Sequence, residues 1–223
     1  MANDNSSGTL PSGWSRTPGR KRIDVAPPRV LAIGASTGGP AALPIVLSGL
    51  PADYPLPVLV VQHMPPVFTT SLADALDRRV PLNVLEGTGG ALVERGKVFI
   101  APGGRHMKVK RAGDGAVRLV VTDEPPVNHC RPSVDVLLDS VAEVFGGRVL
   151  AAILTGMGND GARGFAALKL LGAQTFAQDE ATCTVFGMPR EAIRAGAVDL
   201  VLPLHRLAHA FIKAARPHAA TGR

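Results

Sequence analysis

The chain has 223 residues, 46% of them hydrophobic, with 25 glycines and two cysteines, enough for one large globular domain and unlike a disulfide-stapled mini-protein. Its net charge of +6 sits at the ends: residues 1–29 hold five Lys/Arg against two Asp/Glu, residues 205–223 hold four against none, and 30–204 hold 15 against 16. A nucleic-acid-binding domain carries its basic footprint on the fold itself, so nucleic acid is not an expected partner, and no apolar run approaches the roughly 20 residues that span a membrane.

Residues 1–28 are rich in Ser, Gly, Pro, Asn and Arg and read as a flexible leader or linker. They contain no apolar signal-peptide core, so the expected location is the cytoplasm. Residues 29–204 read as one domain in which short apolar strands alternate with helices, the pattern of an α/β fold with a mainly parallel sheet flanked by helices. Val30–Ile33 is the first strand, and Pro40 opens a short helix after it. Val58–Val61 is the second strand, followed by a helix over 68–79 with Leu72, Ala75 and Leu76 inward. Residues 97–121 read as a strand and then a hairpin that extends the sheet locally in antiparallel fashion. This hairpin carries the internal basic cluster Lys108, Lys110 and Arg111.

Ser133 is the expected N-cap of a helix running to Phe145. A strand over 148–154 follows, then a helix from about Ala162 to Leu171, a short strand over 174–177 and a helix opened by Pro189. The strand 198–202 is the last. Residues 205–223 read as a C-terminal helix and basic tail.

Three of these strands end in residues with chemistry. Val30–Ile33 runs into Gly34-Ala-Ser36-Thr37-Gly38, a G-x-S-x-G pattern that permits a sharp strand-to-helix turn exposing the serine hydroxyl. The same residues suit an ordinary tight turn or a phosphate-binding loop, although the loop has neither the P-loop ending nor a full GxGxxG. Val58–Val61 runs into Gln62-His63-Met64. A serine hydroxyl is a weak nucleophile until a base takes its proton, and imidazole titrates in the range that suits this task. The strand ending at Leu154 runs into Thr155-Gly-Met157-Gly-Asn-Asp160-Gly. Asp160 suits an orienting carboxylate, but also an N-cap for the helix after it. Asp123, Asp179 and Asp199 compete for the same task. Carboxyl ends of parallel strands share one edge, so Ser36, His63 and Asp160 would face one crevice. Cys130 and Cys183 have no CxxC spacing and read as two reduced thiols, with no structural zinc site.

Gly34-Ala-Ser-Thr-Gly-Gly-Pro, Gln62-His-Met, Ala101-Pro-Gly-Gly-Arg-His-Met, Arg131-Pro-Ser-Val-Asp, Leu154-Thr-Gly-Met-Gly-Asn-Asp-Gly and Gly187-Met-Pro stand in this order. Together they resemble the catalytic domain of chemotaxis protein-glutamate methylesterases, the CheB family, over about residues 29–204. The resemblance implies a Rossmann-like, doubly wound esterase fold. It also implies Ser36 as nucleophile, His63 as general base and acid, Asp160 as the group orienting His63, and the Met157 backbone amide as part of the oxyanion hole. Thr37 N–H is a second oxyanion candidate, since the amide after a nucleophile often serves there. His106, His129 and Arg131 lie in similar segments and are expected to be structural or, for Arg131, substrate-orienting. Residues 178–188 line the cleft or pack beside it.

The implied reaction is hydrolysis of glutamyl γ-methyl esters on chemoreceptors, with glutamine deamidation by the same acyl chemistry. The implied partners are cytoplasmic helical domains of methyl-accepting receptors, and no metal or organic cofactor is required. A side chain on a convex helix calls for a shallow, open cleft. Members of the family usually carry an N-terminal phosphoacceptor domain of roughly 100–150 residues. Residues 1–28 cannot build one, so activity without that in-chain switch is expected. The competing readings are a Rossmann-like nucleotide-binding module and a non-catalytic receptor adaptor.

Overall fold

The computed structural model describes residues 15–16 and 26–216. Most of the expected leader, and the tail beyond residue 216, lie outside these residues. Seven parallel strands form the main sheet: β2 (Val30–Ala35), β3 (Val58–Gln62), β4 (Asn83–Glu86), β5 (Lys97–Ile100), β8 (Val149–Ile153), β9 (Gln174–Gln178) and β10 (Leu200–Leu202). A two-residue strand, β1 (Ser15–Arg16), pairs antiparallel with β10. The spatial order is β1-β10-β9-β8-β2-β3-β5-β4.

The central strands are apolar along their whole length because both faces are covered. Every residue of β2, β3 and β8 is buried. Side chains alternate across the sheet, so Leu31, Ile33, Val58 and Val60 belong to one core while Val30, Ala32, Leu59 and Val61 belong to the other. The first core is covered by α1 (Gly39–Ser48), α2 (Phe68–Asp77) and α6 (Leu204–Ala215). The second is covered by α3 (Val134–Phe145), α4 (Ala162–Leu170) and α5 (Met188–Arg194). Phe211 of α6 meets Phe176 of β9 edge-on, with ring centroids 5.2 Å apart.

From β2 the chain builds one side of the sheet with β3, then the outermost strand β4, then β5 between them, and returns to the other side of β2 for β8, β9 and β10. The winding reverses between β2 and β8, and a reversal of this kind opens a crevice at the carboxyl ends of the strands. Ser36 follows β2, His63 follows β3, and the loop to Asp160 follows β8.

The hairpin β6 (His106–Arg111) and β7 (Val117–Thr122) is antiparallel as expected, but it forms its own two-stranded sheet. Both edges of β5 are already taken, by β3 and β4, so the hairpin finds no free edge there. It packs against α3 instead, burying Met107, Val109 and Leu119, and Val109 N–H donates to Ser140 Oγ at 3.0 Å. Lys108 of the basic cluster is paired with Glu124. Among the described residues no helix is long and apolar enough to cross a membrane.

Candidate active site

Backbone register sets Ser36 beside His63. Ala35 pairs with Gln62 across β2 and β3, and His63 N–H donates to Ala35 O at 3.0 Å. Gln62 reinforces this from below, its buried Nε2 donating to Ser36 O at 2.8 Å and to His63 O at 3.2 Å. On the other side Ser36 N–H donates to Thr155 O at 3.0 Å. Gly156 follows, and a side chain there would not fit: a Cβ would come within 2.7 Å of Ser36 Cβ and 2.5 Å of Met188 Sδ. The segment 178–188 fixes this loop. Gln178 Oε1 accepts from Thr155 N–H at 2.8 Å, and Val185 N–H donates to Thr155 Oγ1 at 3.0 Å. Gly187 and Met188 N–H both donate to Gly156 O.

His63 and Asp160, 97 residues apart in the chain, meet at 2.8 Å between Nε2 and Oδ2. Asp160 does not cap α4, as its position before that helix suggested. Gly161, with φ 94°, takes the N-cap position, and the carboxylate turns to the start of α3 instead. There Oδ2 accepts from Val134 N–H at 2.6 Å, while Oδ1 accepts from Ser133 Oγ at 2.7 Å, Asn128 Nδ2 at 2.9 Å and Asp135 N–H at 3.3 Å. Ser133 occupies the N-cap position of α3 without a side-chain capping bond, because its hydroxyl is donated to Asp160. A negative charge at a helix N-terminus is favoured. Burial alone would raise the Asp160 pKa, but the donors from His63, Asn128, Ser133 and Val134 outweigh it and hold the carboxyl below its ordinary value. Asn128 also donates to buried Asp135 at 2.8 Å, whose pKa is raised chiefly by burial.

The His63 side chain is 13% exposed. Burial pulls its pKa down, yet the bond to Asp160 and then the contact with Cys130 prevail, and the imidazole is raised to about 9. Its second nitrogen, Nδ1, faces Cys130 Sγ at 3.7 Å. Among the described residues no hydrogen bond links Ser36 Oγ to His63. Catalytic hydrogen bonds are often loose in unliganded proteins and tighten around substrate.

The competing carboxylates are engaged elsewhere. Asp123 pairs with Arg105 at the surface, Asp179 accepts from Thr182 N–H, and Asp199 accepts from Thr175 and pairs with Lys169. His106 is buried and satisfied: Nε2 meets Pro125 O at 3.0 Å, and Nδ1 accepts from Ser133 N–H at 3.2 Å. Arg131 donates to the carbonyls of Asp123 and Glu124. Sequence reasoning missed Gln62, Asn128, Ser133 and Cys130 as neighbours of the site. Three of them lie beside or inside segments quoted above, which was the available signal.

Ser36 is partly exposed, while Thr37 and Met157 are exposed, so the site is open rather than sealed. Neither Thr37 N–H nor Met157 N–H donates a hydrogen bond among the described residues, which leaves both free to meet a developing oxyanion. Apolar side chains flank the exits of the same strands: Val67 and Phe68 after β3, and Met157 after β8. A separate concavity, bordered by Arg29, Leu56, Arg95 and Phe145, lies towards the amino ends of β2 and β3. Neither Ser36, His63 and Asp160 nor their hydrogen-bond partners line it.

A family model described as CheB methylesterase matches residues 31–211. A protein-glutamate methylesterase/protein-glutamine glutaminase of Desulfotalea psychrophila is 45% identical over 184 residues, covering 82% of this chain and 50% of the relative. One of the same description from Archaeoglobus fulgidus is 50% identical over 181 residues, covering 81% and 52%. The chain thus spans about half the length of the curated relatives it matches. The crystal structure of the Thermotoga maritima CheB methylesterase catalytic domain superposes with a TM-score of 0.81 at 42% identity, covering 84% of this chain and 99% of that one.

Proposed function

Because the chain belongs to the CheB methylesterase family, we propose that it hydrolyses glutamyl γ-methyl esters on cytoplasmic helical domains of chemoreceptors, giving glutamate and methanol. The observation that carries this reading is the His63–Asp160 hydrogen bond, formed on the sheet edge from which Ser36 projects. Ser36 Oγ attacks the ester carbonyl as His63 accepts its proton, and Asp160 holds the imidazole in the productive tautomer and orientation. Thr37 and Met157 N–H stabilise the oxyanion. His63 returns the proton to the departing methanol, and water then releases the acyl-enzyme by the same route. Glutamine amides enter the same acyl path with ammonia as the leaving group. The work is done in the cytoplasm, by the unit of residues 29–204 with its C-terminal helix.

The openness around Ser36 and the exposed Val67, Phe68 and Met157 suit a side chain presented on a protein surface rather than a free small molecule. Methanol release from folded, methylated receptor-bundle fragments tests the proposal. Release by this chain is the expected result. Its absence on well-methylated substrate would turn the reading towards a non-catalytic adaptor.

The pH dependence has a definite sign. His63 accepts a proton only when neutral, and a pKa raised to about 9 keeps most of it protonated at pH 7. The rate at low substrate should therefore climb between pH 7 and 9, by up to about tenfold per unit on the acid side of the pKa. Cys130→Ser removes one of the raising contributions and should move this limb to lower pH. A profile already flat from pH 6.5 upward would contradict it.

A further inference from the structure

The surroundings of His63 have a second chemical reading. A metal-ligating imidazole commonly gives its other ring N–H to a carboxylate, and His63 Nε2 already faces Asp160 Oδ2 at 2.8 Å. The opposite nitrogen, Nδ1, lies 3.7 Å from Cys130 Sγ. Zinc binds imidazole nitrogen at about 2.0–2.1 Å and thiolate sulfur at about 2.3 Å, so a tetrahedral ion holds the two donors roughly 3.6 Å apart. The observed separation matches that bite. Donor atoms of His63, Cys130 and Asp160 all lie within 4.8 Å of one another. Both His63 and Cys130 are partly exposed, so an ion can enter from solvent.

We propose that soft divalent cations, Zn2+ and Cd2+, bind between His63 Nδ1 and Cys130 Sγ and thereby inhibit the esterase. As the metal binds, the Cys130 thiol proton and, from the imidazolium form of His63, the Nδ1 proton both leave to solvent. The Nδ1 lone pair goes to the metal, and His63 keeps its Nε2 proton directed at Asp160. Water fills the remaining positions. The lone pair that would accept the Ser36 proton is then occupied. Hard ions such as Mg2+ prefer oxygen donors and do not compete for this pair. The inhibitory consequence rests on the esterase reading; the binding site does not.

The test uses the full chain, reduced and stripped of metal, at fixed pH. Cd2+ is titrated while the ultraviolet thiolate-to-cadmium charge-transfer absorption and the methanol-release rate are followed in parallel. The expected result is one equivalent of absorption with matching loss of rate, reversed by EDTA and not reproduced by Mg2+. Cys130→Ser, measured against its own uninhibited rate, should need at least the roughly ten- to hundredfold more metal that loss of even an outer-shell partner costs. Cys183→Ser should behave as the parent. Equal sensitivity in Cys130→Ser, or absorption that follows Cys183 instead, would overturn the proposal. Absorption that depends on Cys130 in a chain that releases no methanol would support the metal site and count against the esterase reading.

Discussion

Ser36→Ala should lower ester turnover by roughly 10⁴–10⁶-fold while leaving the thermal unfolding midpoint almost where it was. The two halves of this expectation have separate causes. Ser36 Oγ makes no hydrogen bond among the described residues, so its removal leaves no buried partner unsatisfied. The ties that hold the turn are main-chain ones, Ser36 N–H to Thr155 O and Gln62 Nε2 to Ser36 O, and alanine keeps both. The contact that forbids a side chain at Gly156 involves Ser36 Cβ, which alanine also keeps. What disappears is the proposed nucleophile alone. His63→Ala should be about as severe, and the double variant no worse than either single one, since a nucleophile and its base act as a unit. Methanol release and a melting curve on each variant decide the matter. Retention of a tenth or more of the parent rate by folded Ser36→Ala protein would displace this serine as nucleophile.

Much of the frame around these residues was readable in advance. Strands buried on both faces are continuous apolar runs, so β2, β3 and β8 stood out, and so did the residues at their ends. Edge strand β4 did not. It buries only Val84 fully, and Asn83 and Glu86 are poor strand markers. The hairpin was visible as a hairpin, but its separation from the main sheet depends on both edges of β5 being occupied, which no local pattern records.

The surroundings of Asp160 were hidden for a similar reason. A left-handed pair, Asn128 with φ 53° and His129 with φ 61°, folds the segment before α3 so that Asn128 reaches Asp160 and Cys130 reaches His63. These contacts span 32 and 67 residues of chain. Composition and spacing identify the residues but not the turn that unites them. Resemblance to a family named the three site residues. It did not reveal that the carboxylate caps a helix other than the one beside it in sequence.

Asp160→Asn exploits that second task, and it should cost both activity and stability. The carboxylate is buried, and each oxygen faces donors only: His63 Nε2–H and Val134 N–H at Oδ2, and Ser133 Oγ–H, Asn128 Nδ2–H and Asp135 N–H at Oδ1. An amide must turn its NH2 towards one of these sets. Facing Oδ2's partners, it would oppose the Val134 N–H and leave His63 to adopt the wrong tautomer. Facing the other set, it would oppose the Asp135 N–H, although Ser133 and Asn128 could reorient. Either way a buried main-chain donor loses its acceptor at a helix start, which costs about 1–3 kcal/mol. Turnover should fall by up to about 10⁴-fold where the tautomer is lost. Because the Asp160 bond is the largest influence raising the His63 pKa, the residual activity should reach its plateau at lower pH than the parent. Ser133→Ala separates the two effects, since it removes one donor to Asp160 without touching His63 and should alter stability more than rate. An Asp160→Asn protein that kept the parent's pH limb while losing stability would show that the carboxylate serves α3 alone. A protein that lost rate and moved its limb would place Asp160 in the proton path as well.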